Sequence, residues 1–461
     1  MIERRILLNN LIKKIKKSDA DYLDLRIEEK RGTFFNIKKS EVENITETDR
    51  IEYGIRALYK GRWGFVSGTD FKKIENKVDE AVTFAKLAGN KESKFSKTLV
   101  YKDNVSSDME TDPTKVPLDE KISMFLNYYK IIAKFDKKIQ DSSSLGYSDI
   151  KTKKYFINSE GSHIIQEIRR AGYRIIINAR SGNNLKTLSK SKSSLKDYGI
   201  IYGLEDKIRH TCDMTLKALA AKPVKAGTYT VIGDQNIAGL FAHEAFGHLS
   251  EGDSVYKDEK MKKIMKLGRK FGSSILSIVD DPSMKGMYGS YKYDDDGVKT
   301  KKNYLLKNGK LVGRLHSRET AALTGEKPTG NSRAISSSYV PIVRMSNTFI
   351  ENGKSSFKDM LKGIKLGVYT VGFMGGQTSY ENFVFTADYG YMIRDGKLAE
   401  MVRDVQMMGN VFQTLKDIDM IGDDFEMFEN LGGCGKGGQS PLPVSDGGPH
   451  IRIQNVIIGG E

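Results

Sequence analysis

Cysteine is nearly absent from this sequence, with only Cys212 and Cys434 in 461 residues. Two thiols cannot staple a chain of that length, so a disulfide framework is excluded and each cysteine is read alone. No unbroken apolar stretch approaches the roughly 18 residues that a membrane helix requires, which excludes a spanning segment of that kind. Histidine is also scarce, six in all, so a close pair of histidines is informative. Negative charge is in deficit, with 74 Lys and Arg against 59 Asp and Glu, a formal net charge of +15. That balance permits a polyanion partner without requiring one. The lysines are spread along the chain, as at Lys257, Lys260, Lys262, Lys263, Lys301 and Lys302, often beside acids. Aromatic residues are not interleaved among them as stacking platforms, so a solvated surface is expected rather than a nucleic-acid site.

The segment from Met1 to Lys17 has an apolar run that stops after Leu8, with no small-residue cleavage site behind it. It reads as an amphipathic surface helix and not as a signal peptide. Ile2, Ile6, Leu7, Leu8, Leu11, Ile12 and Ile15 fall at helical spacing, while Arg4, Arg5 and the lysines of positions 13–17 take the wet face. Unpaired cysteines and no leader together give a reducing cytoplasm as the expected location.

The length corresponds to two or three domains with sizeable cores. Short alternating segments around Leu23-Asp-Leu25-Arg-Ile27, Phe34 to Ile37, Ile51 to Ile55 and Trp63 to Phe65 predict antiparallel strands, punctuated by Gly54, Gly61 and Gly64. A helix is expected near 70–88, then a long loop or covering segment over 90–116. From Pro117 a helix is expected with Ile122, Phe125, Leu126, Tyr129, Ile131 and Ile132 on one broad face. Strands return over 138–182, and a helix near 204–221 carries Ile208, Cys212, Leu216 and Leu219. Strands followed by a helix thus occur twice, a hint of duplication. The tract from Asn183 to Lys196, rich in Ser, Asn and Lys, is the one stretch whose composition suggests disorder. Pro223 and Gly227 end the last helix, and the composition then turns richer in glycine and strand-like segments. The expected division is an N-terminal α/β domain over 1–222 and a β-rich C-terminal domain over 223–461, an α+β protein.

The chemistry lies in the second part. His243-Glu-Ala-Phe-Gly-His248 is a His-Glu-x-x-x-His pattern in an apolar segment that follows a candidate helix cap, Asp234. Zinc peptidases commonly space such histidines four residues apart, about 40° around an α-helix, whereas five residues separate them by about 140°. For both to face one ion the backbone must widen or stop between them, and Gly247 is where a break is sterically cheap. Glu244 would then face a metal-bound water as general base. A catalytic zinc takes three protein ligands and leaves a fourth position open. The candidates for the third are Glu251, His316 and Cys434. Cys434 is favoured, because the glycines of Leu431-Gly-Gly-Cys-Gly-Lys-Gly-Gly-Gln439 allow close approach and Lys436 would favour a thiolate. Glu251 follows His248 too closely for easy convergence. His316, His163, His210 and His450 read as structural or surface residues, and Cys212 as an inert core thiol. The alternative for His243 and His248 is a hydrogen-bonded core pair, which needs a separate partner for Glu244. Gly433 to Gly438 also matches G-x-G-x-x-G, but Pro441 and Pro443 prevent the helix that a nucleotide loop should open.

From His243 onward the chain resembles the TldD/PmbA family of metallopeptidases, in its zinc-bearing TldD-like branch. The resembling segments are His243 to His248 with Glu251-Gly-Asp253, Val279-Asp-Asp281, Asp294 to Gly297, Thr329-Gly-Asn331, Arg344 to Thr348, Tyr391 to Leu398, Gly409-Asn410, and Cys434 to Gln439 with Pro443-Val444. Gly54-Ile-Arg56 and Gly61 to Phe65 extend the resemblance into the first part. It implies that His243, His248 and Cys434 are zinc ligands and that Glu244 is the catalytic base, a set that the PmbA-like branch lacks. It further implies a homodimer, or a heterodimer with a PmbA-like subunit, enclosing an active site for unfolded or extended peptides. Asn331-Ser332-Arg333 and Ser445-Asp446 depart from the family's pattern in loops that can shape substrate choice.

Overall fold

The computed structural model describes residues 10–89, 92–379 and 381–459. Residues 10–16 are helical, with Leu11 and Ile15 fully buried, while residues 1–9 of the expected amphipathic helix lie outside the described residues. This helix leads into three antiparallel strands, Tyr22–Lys38, Glu41–Tyr59 and Arg62–Gly68, and then the helix Ile74–Leu87. The same succession recurs: helix Leu118–Phe135, strands Ser144–Asn158, His163–Ser181 and Asn184–Ser194, helix Glu205–Ala220. The first strands of the two units pair antiparallel, with Leu25 opposite Ile157 and Phe35 opposite Tyr147, so one continuous sheet is formed. The strand Lys102–Val105, within the expected covering segment, joins it parallel to the start of His163–Ser181.

Asn184–Ser194 is therefore a strand, and the expectation of disorder there is corrected. Its backbone ladder to His163–Ser181 runs from Ser181–Asn184 to Ala171–Ser194, and Leu188 is buried. A hydrogen-bond ladder needs no particular side chain, so a polar composition can be carried by a strand whose neighbour is already fixed.

Period-two alternation gives the sheet two unlike faces. Leu23, Leu25 and Ile27 pack under the helices, whereas Asp24, Arg26, Glu28 and Lys30 point the other way and are buried nonetheless. What buries them is the C-terminal part. Arg56 binds Asp24 at 2.6 Å and Asp296 at 2.8 Å, Lys154 reaches Asp295 at 3.1 Å, and Lys30 donates to the Ile335 carbonyl at 3.0 Å. A methyl group on Gly54 would lie 1.9 Å from the Ser337 carbonyl oxygen, so glycine is what lets the two parts close here.

Residues beyond 222 form, among the described residues, one six-stranded and one ten-stranded sheet with smaller ribbons. The short helix Gln235–Leu240 and its continuation run between them. Phe241, Ala242, Ala245 and Phe246 are fully buried in a core shared with both sheets, including Ile278, Leu305, Phe383, Phe385 and Ile453. The fold is α+β, mixed α/β in its first part and β-rich in the second, as the sequence predicts.

Candidate metal centre

Asp234 caps the helix Gln235–Leu240 by accepting the Ile237 N–H at 3.0 Å. The following residues, Phe241–Gly247, form a π-helix, and the His248 N–H donates to the His243 carbonyl five residues back. A turn closed by an i to i+5 bond stacks residues five apart, so the histidines share one face without a break. The backbone widens, as one of the two expected routes, but Gly247 is not where it stops: its φ of −58° and ψ of −53° are helical. Its role is space. A methyl there would meet Met345 Sδ at 2.1 Å and the Ala242 carbonyl at 3.1 Å. Gly239, about two turns earlier, lies against backbone, with a methyl placed 2.5 Å from the Gly447 nitrogen. Because backbone cannot swing aside, Gly239→Ala is expected to cost about 1–3 kcal/mol by overpacking, and a lowered denaturation midpoint at unchanged m-value is the check.

The structure brings His243, His248 and Cys434 together: one ligand atom from each lies within 4.8 Å of the others. The His248 Nε2 to Cys434 Sγ distance is 3.3 Å, and the imidazole rings stand at 89° to each other. Bonds of 2.0–2.3 Å around a tetrahedral zinc set ligands roughly 3.5 Å apart, so the spacing suits such an ion. Burial pushes the Cys434 thiol up, but His243 and His248 outweigh it and bring it down to about 4. Burial likewise opposes charge on both histidines, and Cys434 reverses this, raising both, with Glu251 adding to the effect on His248. A buried thiolate flanked by two imidazoles that hold protons for it is the state in which a cation can replace those protons. His243 Nδ1, on the far side of the ring from Glu244, is buried without a hydrogen-bond partner among the described residues.

Glu244 is half-buried at the open side. Its carboxylate oxygens lie 4.0 Å from His243 Nε2 and 3.9 Å from His248 Nε2, so it faces the same point as the ligand atoms. Glu251 does not join the cluster. It sits behind His248, 3.1 Å from Nδ1, and also meets Lys436 at 3.0 Å. The two nitrogens of an imidazole point apart, so a carboxylate on Nδ1 orients Nε2 and supports its basicity. Lys436 is held by Asp253 at 2.6 Å, Glu251 and the Val343 carbonyl at 3.0 Å, so its charge serves Glu251. Glu251→Gln is accordingly expected to weaken zinc affinity about 10–100-fold while leaving stoichiometry intact, measured by competition with a chromophoric chelator.

The other cysteine and histidines lie elsewhere. His316 is buried against Thr320 and Glu326, His450 binds Asp424 and Tyr369, and Cys212 is packed in the N-terminal core, pushed up to about 12 by burial.

Several positioning residues were not singled out from the sequence. Arg344 is fully buried and donates to the carbonyls of Cys434 at 2.5 Å and Gln439 at 3.1 Å, which fixes the hairpin that carries the thiol. Behind it, Asp280 accepts from Asn331, Ser346 and Thr348 at 2.7–2.9 Å. The segments around Val279, Thr329 and Arg344 are thus parts of one scaffold. Asp446 stands half-buried near His243 and Glu244, its carboxyl pushed up to about 6, chiefly by burial. The signals were in the quoted motifs, but only the fold shows which face each residue uses.

Residues 226–460 match the PmbA/TldA metallopeptidase C-terminal domain, 23–85 match domain 1 and 111–219 the central domain. The chain belongs to the PmbA/TldA metallopeptidase family. A metalloprotease of Synechocystis sp. is 37% identical over 446 residues, covering 96% of each chain. A protein of Saccharolobus solfataricus named zinc metalloprotease TldD homolog is 30% identical over 455 residues, 97% of this chain and 99% of its own. Among solved structures, TldE from Thermococcus kodakarensis superposes with a TM-score of 0.78 at 22% identity, over 98% of this chain and all of its own, a likeness of fold. The PmbA/TldA assignment makes this chain a hydrolase and agrees with the reading of His243 to His248 as a metal motif.

Proposed function

We propose that the protein is a zinc peptidase acting on unfolded or extended peptides. His243, His248 and Cys434 would hold the ion. When bound, zinc supplies Lewis-acid polarisation of the attacking water and the scissile carbonyl. Glu244, with its oxygens 3.9–4.0 Å from both Nε2 atoms, takes the proton of that water and delivers it to the leaving amine. Glu251 and Lys436 keep His248 turned toward the cluster, and Arg344 keeps the Cys434 hairpin in place.

The observation that carries this reading is the π-turn, which puts two histidines on one face against the Cys434 hairpin, with Glu244 facing both Nε2 atoms. A noncatalytic protein with a four-ligand structural zinc fits less well, because Glu251 is engaged on the far nitrogen of His248 and closes no shell. Support for extended substrates comes from the strand Gly375–Ser379, which ends the ten-stranded sheet beside the π-turn. A free strand edge can pair with a peptide backbone with little regard for its side chains. The Thermococcus protein named TldE shares the fold, in line with a PmbA-like subunit as partner or with self-association.

The test is hydrolysis of one protein in its unfolded and folded forms. Cleavage is expected for the unfolded form alone, to fall to background after chelation, and to return on adding about one equivalent of zinc. Cleavage that persists in chelator would refute the zinc peptidase reading.

A further inference from the structure

The charged face of the N-terminal sheet does not close completely on the C-terminal part. Between them lies a cavity of about 280 Å³. Its wall includes Leu442, which pairs with Cys434 across the hairpin, so it adjoins the metal-site loop without containing a candidate ligand.

Four acids and four cations line this cavity, but they do not pair one to one. Glu28 is paired with Lys30 at 2.7 Å, Asp149 with Lys121 at 2.6 Å and Asp295 with Lys154 at 3.1 Å. Asp294 accepts the N–H groups of Asp296, Val298 and Ser332. Every acid on the wall is thereby engaged, and among the described residues two guanidiniums form no ion pair, although Glu28 favours the charge of one and Asp295 that of the other. Among the described residues Arg333 donates only to the carbonyls of Met345 at 2.6 Å and Pro443 at 2.7 Å, and it lies over the Tyr291 ring. Arg170 lies over the Tyr288 ring at 5.6 Å, and its buried Nε has no hydrogen-bond partner among the described residues. Burial chiefly disfavours the Arg170 charge and Arg333 adds to that, while Tyr288 and Glu28 oppose it, and the guanidinium is pulled down to about 10. A half-buried cation beside a buried one, with a donor unused and room in front, is an arrangement that an anion completes.

We propose that this cavity is a recognition subsite for a carboxylate carried by a peptide, with Arg170 as its direct partner and Arg333 as the supporting charge. The choice of a peptide rests on the peptidase reading, and the wall agrees with it. Phe34, Ile168, Tyr288 and Leu442 give the cavity an apolar lining suited to a side chain beside the carboxylate. Its volume falls just below the roughly 300–1,000 Å³ of small-molecule sites, too small for a folded partner. A peptide anchored here would lie against the Cys434 hairpin. The carboxylate can belong to an acidic side chain or to the peptide's C-terminus.

The test is equilibrium binding by fluorescence anisotropy to the zinc-loaded Glu244→Gln protein, using one short unstructured peptide in four forms: with Asp or Asn at one position, and with a free or amidated C-terminus. Carboxylate forms are expected to bind about tenfold or more tightly than the Asn, amidated form. Retention of the preference on amidation assigns the subsite to a side chain, and its loss assigns it to the terminus. Arg170→Gln should remove the preference and Arg170→Lys should restore part of it, with circular dichroism confirming the fold of each. Acetate should compete more effectively than inorganic phosphate at equal charge concentration. Equal affinity for all four peptides, a preference that survives Arg170→Gln, or stronger competition by phosphate would overturn the proposal. Binding is read without turnover, so failure of the subsite and failure of the peptidase reading give separate results.

Discussion

Glu244→Gln should leave zinc bound and lower kcat by about 10²–10⁴-fold, the range over which a positioned general base contributes. Glutamine keeps the size of the side chain and loses the ability to take a proton. Among the described residues the Glu244 carboxylate accepts no hydrogen bond that holds the fold, and it sits 3.9–4.0 Å from the histidine nitrogens. The substitution should therefore spare both the π-turn and the ligands. KM should change little, because the proton transfer belongs to the transition state rather than to peptide binding. Steady-state kinetics beside zinc analysis on the same preparation separates this outcome from a general loss of structure. Undiminished turnover would remove Glu244 from the reaction.

Cys434→Ala should have the second large effect. It deletes the thiolate that lies 3.3 Å from His248 Nε2 and leaves two imidazoles, one fewer than the usual three protein ligands of a catalytic zinc. The loss in zinc affinity should exceed the roughly 10–100-fold expected for an outer partner such as Glu251, and activity at low free zinc should fall with it. The fold should survive, because the hairpin is held through backbone carbonyls: Arg344 binds those of Cys434 and Gln439, which alanine retains. Apo and variant proteins with similar thermal transitions, but without the wild-type increase on adding zinc, are the expected result.

The site was legible where chemistry depends on residue type and local spacing. His243 and His248 are five apart, and that number alone requires the backbone to widen or stop between them if both are to face one ion. Cys434 could be favoured because a glycine loop can approach closely. The sequence left open how the backbone widens, since α and π turns differ by one hydrogen-bond register and use the same helical dihedrals at Gly247. Nor could spacing show that Glu251 stands behind His248, because three residues along a helix end can place a carboxylate on either ring nitrogen. The fold was legible for the same reason: Leu23-Asp-Leu25-Arg-Ile27 alternates, and the alternation marks a sheet with one apolar face. That the charged face is also buried, by Asp295, Asp296 and Ile335, which lie 141–305 residues along the chain from their partners, depends on tertiary contacts that no local pattern encodes. The polar strand Asn184–Ser194 was missed because its pairing is made by backbone groups.

The central claim is that one zinc is held by His243, His248 and Cys434. Zinc per chain in the untagged protein, measured by mass spectrometry after exhaustive dialysis beside Cys434→Ala and His243→Ala, tests it most directly. About one zinc in the wild-type protein and little in either variant is the predicted result. Zinc that stays at the wild-type level in Cys434→Ala, or none in the wild-type protein after reconstitution, would contradict it.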